Sequence, residues 1–379
     1  RDGEIKRKFV LTSVACVIGT YIRSNNSCCC IEKRFSKKEG GKVMKRILYL
    51  IKRILKMDYK GLFKTVKSVH KKSGKGRINL FFDIVKCGLK YGAGYKDYEL
   101  CEWWNLNAEQ RATYVTRGIN NTIVTRLNNK EYYHILDNKI EFNNTFGEYL
   151  GRKWLDMSTA TTDDLKSFLN GLDIIISKPT AEACGRGVEK INVADYSSVD
   201  ALFDHLKSIN SGLLEEFVVQ HEDVSKLYPL SVNTYRIVTV LTEGVPHIVY
   251  AFIRIGNGGR FVDNINAGGM AAPVNIETGV IEYPAFDKDS IYYETHPYTN
   301  CSIKGYQLPQ WDKAVQTVLK AATVVKEVGY VGWDVAATKD GVVLIEGNPF
   351  PGHDILQMPP HVPDKIGMLP QFKKYIKNL

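Results

Sequence analysis

The chain has 379 residues and a formal charge of +10, with 44% hydrophobic and 24% charged residues. That length holds two or three subdomains with cores of their own, and the hydrophobic share is ordinary for a globular protein. No internal repeat, long disordered linker or recognised nucleic-acid motif accompanies the positive charge, so nucleic acid is not expected as a partner.

Residues 1–43 read as foreign to the rest. The sequence begins with Arg1, and its first methionine is Met44. Lys6, Arg7 and Lys8 precede an apolar run over 9–22 that imitates a signal peptide but, at about 14 residues, is short for a bilayer span. Cys28, Cys29 and Cys30 lack zinc-site spacing. Lys38-Glu39-Gly40-Gly41 is encodable by AAGGAGG, a bacterial ribosome-binding site, one spacer ahead of Met44. We therefore expect a mis-called or non-native extension over 1–43.

Residues 44–125 are expected to form a basic, helical N-terminal region. Between 42 and 77 Lys and Arg dominate, and Ile47, Leu50, Ile51, Ile54 and Leu55 recur at helical spacing. Such a helix either packs on the catalytic domain with a solvated lysine face or, over 44–75, makes a peripheral contact with an anionic membrane. Farther on, Phe81, Phe82, Tyr91, Trp103 and Trp104 read as core. Gly92-Ala-Gly94 is no dinucleotide fingerprint, and Ser73-Gly-Lys-Gly76 is no P-loop, because the spacings are wrong.

The chemistry-bearing motifs fall in 126–379, expected as one catalytic domain with subdomains over about 126–215 and 216–379. Asp173-Ile-Ile-Ile-Ser-Lys178-Pro179 is a strand ending in a lysine, and Gly185 and Gly187 follow in a loop. That combination suits phosphate, since an ammonium neutralises charge and small residues let backbone N–H groups approach; an ordinary hairpin reads the same way. Leu213-Leu-Glu215-Glu216-Phe-Val218 is an amphipathic strand or an adenine hinge. Arg236 and Arg254 sit inside apolar strands, where an unpaired charge is costly. Either local carboxylates pair with them, or they clamp a phosphate or carboxylate with their planar forks. A Gly-Val-Pro turn is expected between these two strands. The polar loop Asp263-Asn264-Ile-Asn266-Ala-Gly268-Gly269 is placed to close over a reaction centre. Over 331–348, two apolar runs flank a Lys-Asp-Gly turn. Strand alternation puts Glu346 and Asn348 on one face within reach of Asp334, an oxygen-only set suited to Mg²⁺ or simply the polar end of a hairpin.

Taken in order, these motifs resemble the ATP-grasp superfamily. The wording Ser-Val-Asn-Thr-Tyr-Arg236, Asn264-Ile-Asn-Ala-Gly-Gly269 and Gly332-Trp-Asp-Val with Glu346-Gly-Asn-Pro-Phe-Pro-Gly352 is similar to its sugar-transfer-associated branch. The resemblance spans roughly 130–360. It implies an α+β fold whose two subdomains grip ATP, with a basic helical N-terminal region. By the same resemblance Lys139 and Lys178 would contact phosphates, with Gly185 and Gly187 in the covering loop. Glu215, Glu216 and Val218 would form the adenine hinge and Glu222 would hold the ribose. Arg236 and Arg254 would hold the γ-phosphate and the transferred group, with Asn264 and Asn266 on the acceptor side. Asp334, Glu346 and Asn348 would carry two Mg²⁺ ions, and His353 either faces substrate or solvent.

The activity implied is ATP- and Mg²⁺-dependent ligation of a carboxylate to an amine through an acylphosphate. Its substrates would be an amino acid and a sugar in surface-polysaccharide metabolism, in the cytoplasm or at the inner membrane face. A hydroxyl kinase and a non-catalytic nucleotide-binding scaffold are the alternatives. No Ser-His-Asp or Cys-His arrangement has convincing spacing, and none is required.

Overall fold

The computed structural model describes residues 58–179 and 187–379. The expected start at Met44, the apolar positions 47–55 and Gly185 lie outside the described residues. The chain divides into two compact units, one ending at 112 with 116–119 added, the other comprising 113–115 and 120–379.

In the first unit, α1 (Tyr59–Ser73) starts where the Asp58 side chain accepts from Gly61 N–H at 3.0 Å and stops at Gly74, whose φ is +70°. It buries Leu62, Thr65, Val66 and Val69, the spacing of one helical face. α2 (Arg77–Tyr91) buries Leu80, Phe81, Ile84 and Val85. α3 (Tyr95–Leu100) buries Tyr98, and after it the side chains of Trp103 and Trp104 are buried, as expected of those two tryptophans. Arg111, at the end of α4 (Ala108–Arg111), forms a two-pronged pair with Asp83 at 2.8 Å, and Tyr98 Oη donates to the same carboxylate at 2.7 Å.

The second unit includes residues from Asn120 onward of α5 (Arg117–Leu127), then α6 (His134–Asp137) and α7 (Lys139–Thr145). A small antiparallel sheet follows, built from β1 (Trp154–Asp156), β2 (Ile174–Lys178), β3 (Glu189–Asn192) and β4 (Leu213–Glu216) in the order β1-β4-β2-β3. Its core joins Ile175, Ile191 and Leu214 to Leu165 of α8 (Thr162–Phe168) and to Leu202 and Leu206 of α9 (Val199–Ser208).

The large sheet comes next in sequence, after α10 (Glu222–Leu227). Its strands are β5 (Tyr235–Thr242), β6 (Val245–Ile255), β7 (Met270–Val274), β8 (Ala285–Asp287), β9 (Tyr292–Tyr293), β10 (Tyr330–Ala337) and β11 (Val342–Asn348). They pair antiparallel in the order β11-β10-β5-β6-β7-β8-β9. α11 (Trp311–Ala321) packs Trp311, Ala314, Val318 and Ala321 into the core of this sheet, and α12 (Leu369–Lys373) buries Leu369 and Phe372.

The β5–β6 turn differs from expectation. Glu243 and Gly244 both have positive φ, as a two-residue hairpin turn matching strand twist requires, and Val245 and Pro246 already belong to β6. Among the described residues, no helix is long and apolar enough to cross a membrane.

Candidate nucleotide and metal site

The register of the large sheet lines up a row of side chains across four strands. Glu346 on β11 stands opposite Asp334 on β10, Asp334 opposite Arg236 on β5, and Arg236 opposite Phe252 on β6. Arg254, two residues beyond Phe252, shares its face. The hairpin expected over 331–348 is present. It carries a bulge: Glu346 faces Asp334 but Leu344 faces Val335, leaving Ile345 as the extra residue. Gly347 points the other way, where an added Cβ would lie 2.6 Å from Leu136 Cδ2.

Asp334 is 1% exposed and holds both arginines. Arg236 donates Nη2 to Asp334 Oδ2 at 2.8 Å and Nε to Oδ1, while Arg254 Nη1 donates to Oδ2. Burial opposes ionisation here, but the two guanidinium groups hold Asp334 well below the usual carboxylate range. Arg254 also pairs with Asp263 at 3.2 Å, and Asp263 in turn accepts from Thr234 N–H at 3.0 Å. Of the two readings open for these arginines, local carboxylates supply their partners in the free protein.

Glu346 is different. Its side chain is half-exposed in the cleft and lies 3.7 Å from Arg236 Nη2 and from Arg254 Nη1. Partial desolvation by the cleft walls, with the Asp334 carboxylate alongside, pushes its pKa up to about 7.

The small sheet contributes a second charge cluster. Glu215, 3% exposed, receives Lys178 Nζ, Arg152 Nη2 at 2.7 Å and Asn143 Nδ2 at 3.1 Å. Arg152 Nη1 reaches Leu344 O on β11 at 2.6 Å, tying this cluster to the large sheet. The carboxylate expected at an adenine edge is therefore occupied in anchoring Lys178. Burial alone would raise the Glu215 pKa, yet Lys178 and Arg152 hold it well below the usual range. A carboxylate with a depressed folded pKa contributes stability that is fully present above its unfolded value, near 4.5, and is lost as pH falls through the folded value. The stability advantage of the wild type over Glu215→Gln is thus expected to be largest at neutral pH and to shrink steadily on acidification. Thermal unfolding of both proteins across pH 3–7 checks this, and a pH-independent difference would show that the charge is not what stabilises.

These clusters open onto two adjoining cavities of about 420 and 170 Å³. Lys178, Glu215, Arg254, Asn264 and Glu346 line both. Lys139, Arg236, Asn266 and Asn348 line the larger, whereas Glu216, Val218 and Asp334 line the smaller. Lys139 is the first residue of α7, just after the Asn138 cap. Asn264 Oδ1 accepts from Asn266 N–H at 2.8 Å, shaping the loop, and Gly269 permits the closure because a Cβ there would fall 2.3 Å from Asp263 O. Gly187 has φ of +66° and lies against Pro179, outside the residues lining either cavity. Neither cavity is lined by Glu222 or His353; Glu222 opens α10, with His221 as its cap.

Three residues of the site escaped the reading of the sequence: Arg152, Asn143 and Asp263. Asp263 belongs to the polar loop over 263–269, whereas no motif marks Arg152 or Asn143.

The donor set fits a hard divalent cation. Glu346 is crowded by a second carboxylate and has its nearest arginine nitrogens at 3.7 Å, while Asn348 lines the same cavity. Among the described residues no group of three or more His, Cys, Asp or Glu side chains is arranged for a metal, so these side chains could hold a cation such as Mg²⁺ only together with waters or ligand oxygens.

The family model described as sugar-transfer associated ATP-grasp matches residues 109–362, about two thirds of the chain. The chain belongs to this family, and the charge clusters and both cavities lie within the match. Among solved structures, the ADP complex of purK, an N5-carboxyaminoimidazole ribonucleotide synthetase, aligns at 12% identity and a TM-score of 0.36, covering 58% of this chain and 46% of that one. The ADP complex of N5-carboxyaminoimidazole synthetase from Staphylococcus aureus aligns at 10% and 0.39, covering 60% and 48%. D-alanyl-alanine synthetase A from Vibrio cholerae O1 biovar eltor aligns at 14% and 0.38, covering 69% of each chain. The chain thus spans about half the length of the first two. None of the curated proteins compared with the chain matches it.

Proposed function

We propose that this protein is an ATP- and Mg²⁺-dependent carboxylate–amine ligase acting through an acylphosphate, on an amino acid and a sugar in surface-polysaccharide or related sugar metabolism in the cytoplasm. The observation that carries the reading is the convergence of Lys139, Lys178, Arg236, Arg254 and Glu346 on one cavity. Phosphoryl transfer asks a protein for alignment and charge neutralisation more than for covalent help, and these side chains offer both.

In this reading the base lies in the smaller cavity against Glu216 and Val218; Glu222, which lines neither cavity, is the residue the family resemblance assigns to the ribose. Lys139 and Lys178 neutralise the phosphates; the covering role that the family resemblance gives Gly185 and Gly187 remains an expectation. Asp334, Glu346 and Asn348 would hold the metal, which supplies Lewis-acid neutralisation of charge on the β- and γ-phosphates. Glu346, half-exposed in the cleft, would be the more accessible of the two carboxylates, since both oxygens of Asp334 accept from Arg236 and Arg254. Arg254, which lines both cavities, would hold the transferred phosphoryl group. A substrate carboxylate oxygen attacks the γ-phosphorus, the bond to the β-bridging oxygen breaks, and ADP leaves. The amine then attacks the acyl carbon, loses a proton and expels inorganic phosphate, giving the amide. Asn266 and Asn264 line the acceptor side, and the loop that carries them excludes water from the acylphosphate.

The test is product analysis with Mg-ATP and pooled amino acids and amino sugars. ADP matched by free phosphate, dependent on both an acid and an amine, is the expected result. ADP without free phosphate would replace the ligase by a kinase, and AMP would overturn the mechanism.

A further inference from the structure

Helix α1 carries its charge in one line. Lys60, Lys64, Lys67 and Lys71 follow at spacings of four, three and four residues, and all four are exposed. At about 100° and 1.5 Å per residue they fall within roughly 60° of one another over about 16 Å of helix. The other side of the helix buries Leu62, Thr65, Val66 and Val69. α1 contains no acidic residue. Of the acids around it, Asp58 accepts from Gly61 and Tyr95 and also feels the charge of Lys60, while Glu99 accepts from Ser68 with Lys72 and Lys96 nearby. Among the described residues, none of the four lysines has a carboxylate at ion-pair distance.

Such a row is electrostatically unfavourable by itself, since like charges three and four apart on a helix repel. An extended anionic surface would relieve that repulsion at every position at once. The chemistry of the row favours a diffuse field over individual phosphates, because all four residues are lysine, a compact hydrated point charge, and none is the forked arginine. Among the described residues, the aromatics of α1 offer no open stacking platform for bases: Phe63 stacks on Phe81 at 5.9 Å, and Tyr59 is half-buried. Close by in sequence, Lys75 and Arg77 add charge, and Ile78 at the start of α2 is 67% exposed, an apolar side chain available to an interface.

We propose that this lysine face of α1 docks the protein reversibly on an anionic lipid bilayer. The proposal is independent of the chemistry assigned to the second unit.

Sedimentation of the full chain with vesicles tests it, using phosphatidylcholine alone or mixed with phosphatidylglycerol. Binding is expected only to the mixed vesicles and to weaken as salt rises. Changing Lys60, Lys64, Lys67 and Lys71 together to Gln should lower that binding by at least about tenfold, whereas changing all four to Arg should preserve it. Circular dichroism of both variants confirms the fold, which exposed positions tolerate. Equal binding to phosphatidylcholine, no binding to mixed vesicles, or full binding by the Gln variant would each overturn the proposal. So would tighter binding of nucleic acid than of vesicles through the same four lysines.

Discussion

Replacing Glu346 by Gln is expected to lower Mg-ATP turnover by at least about 100-fold, the scale of losing one stabilising group in a charge-neutralising site. Glu346 is the half-exposed carboxylate of the row, set into the cleft by the β11 bulge and 3.7 Å from both arginines. Gln keeps its size and removes its charge, and it also removes the carboxyl that Asp334 crowds. The variant should therefore fold at least as well as the wild type while losing its response to Mg²⁺. Steady-state ADP release across a Mg²⁺ titration, with thermal unfolding alongside, separates these effects. Near-normal turnover with unchanged Mg²⁺ dependence would remove Glu346 from the metal site.

Asp334→Asn is expected to act first on stability, costing about 3–5 kcal/mol, because removing one partner of a buried ion pair strands the other charge. The two arginines would suffer unequally. Arg254 keeps Asp263 at 3.2 Å, whereas Arg236, 8% exposed, is left with Glu346 at 3.7 Å. For a unit of this size such a loss lowers the melting temperature by roughly 10 °C. Adding Arg236→Met should restore much of it, since the stranded guanidinium is then gone. A single variant that melts with the wild type would show that Asp334 does not anchor the pair.

Much of this site was legible in the sequence where its determinants are local. β-branched runs announced β5, β6 and β11, and the Lys-Asp-Gly turn with strand alternation put Asp334, Glu346 and Asn348 on neighbouring strands. Lys178 at the end of β2 was readable for the same reason. The bulge at Asp334 and Val335 was not, because no periodicity marks one inserted residue. Nor was the choice between carboxylate and phosphate partners for Arg236, since its acid arrives 98 residues later in the chain. Glu215 illustrates the same limit: its strand was evident, but Arg152, 63 residues earlier, and Lys178, 37 residues earlier, converge on its carboxylate only in the folded unit. Glu222, which the resemblance puts on the ribose, opens a helix capped by His221 and lines neither cavity.

The most direct test of the account is calorimetric titration of the full chain with a non-hydrolysable ATP analogue, with and without Mg²⁺. A single site per chain that requires Mg²⁺ in the wild type and loses that requirement in Glu346→Gln is the predicted result. Absence of binding, or binding indifferent to Mg²⁺ in the wild type, would contradict the assignment of this cleft to nucleotide and metal.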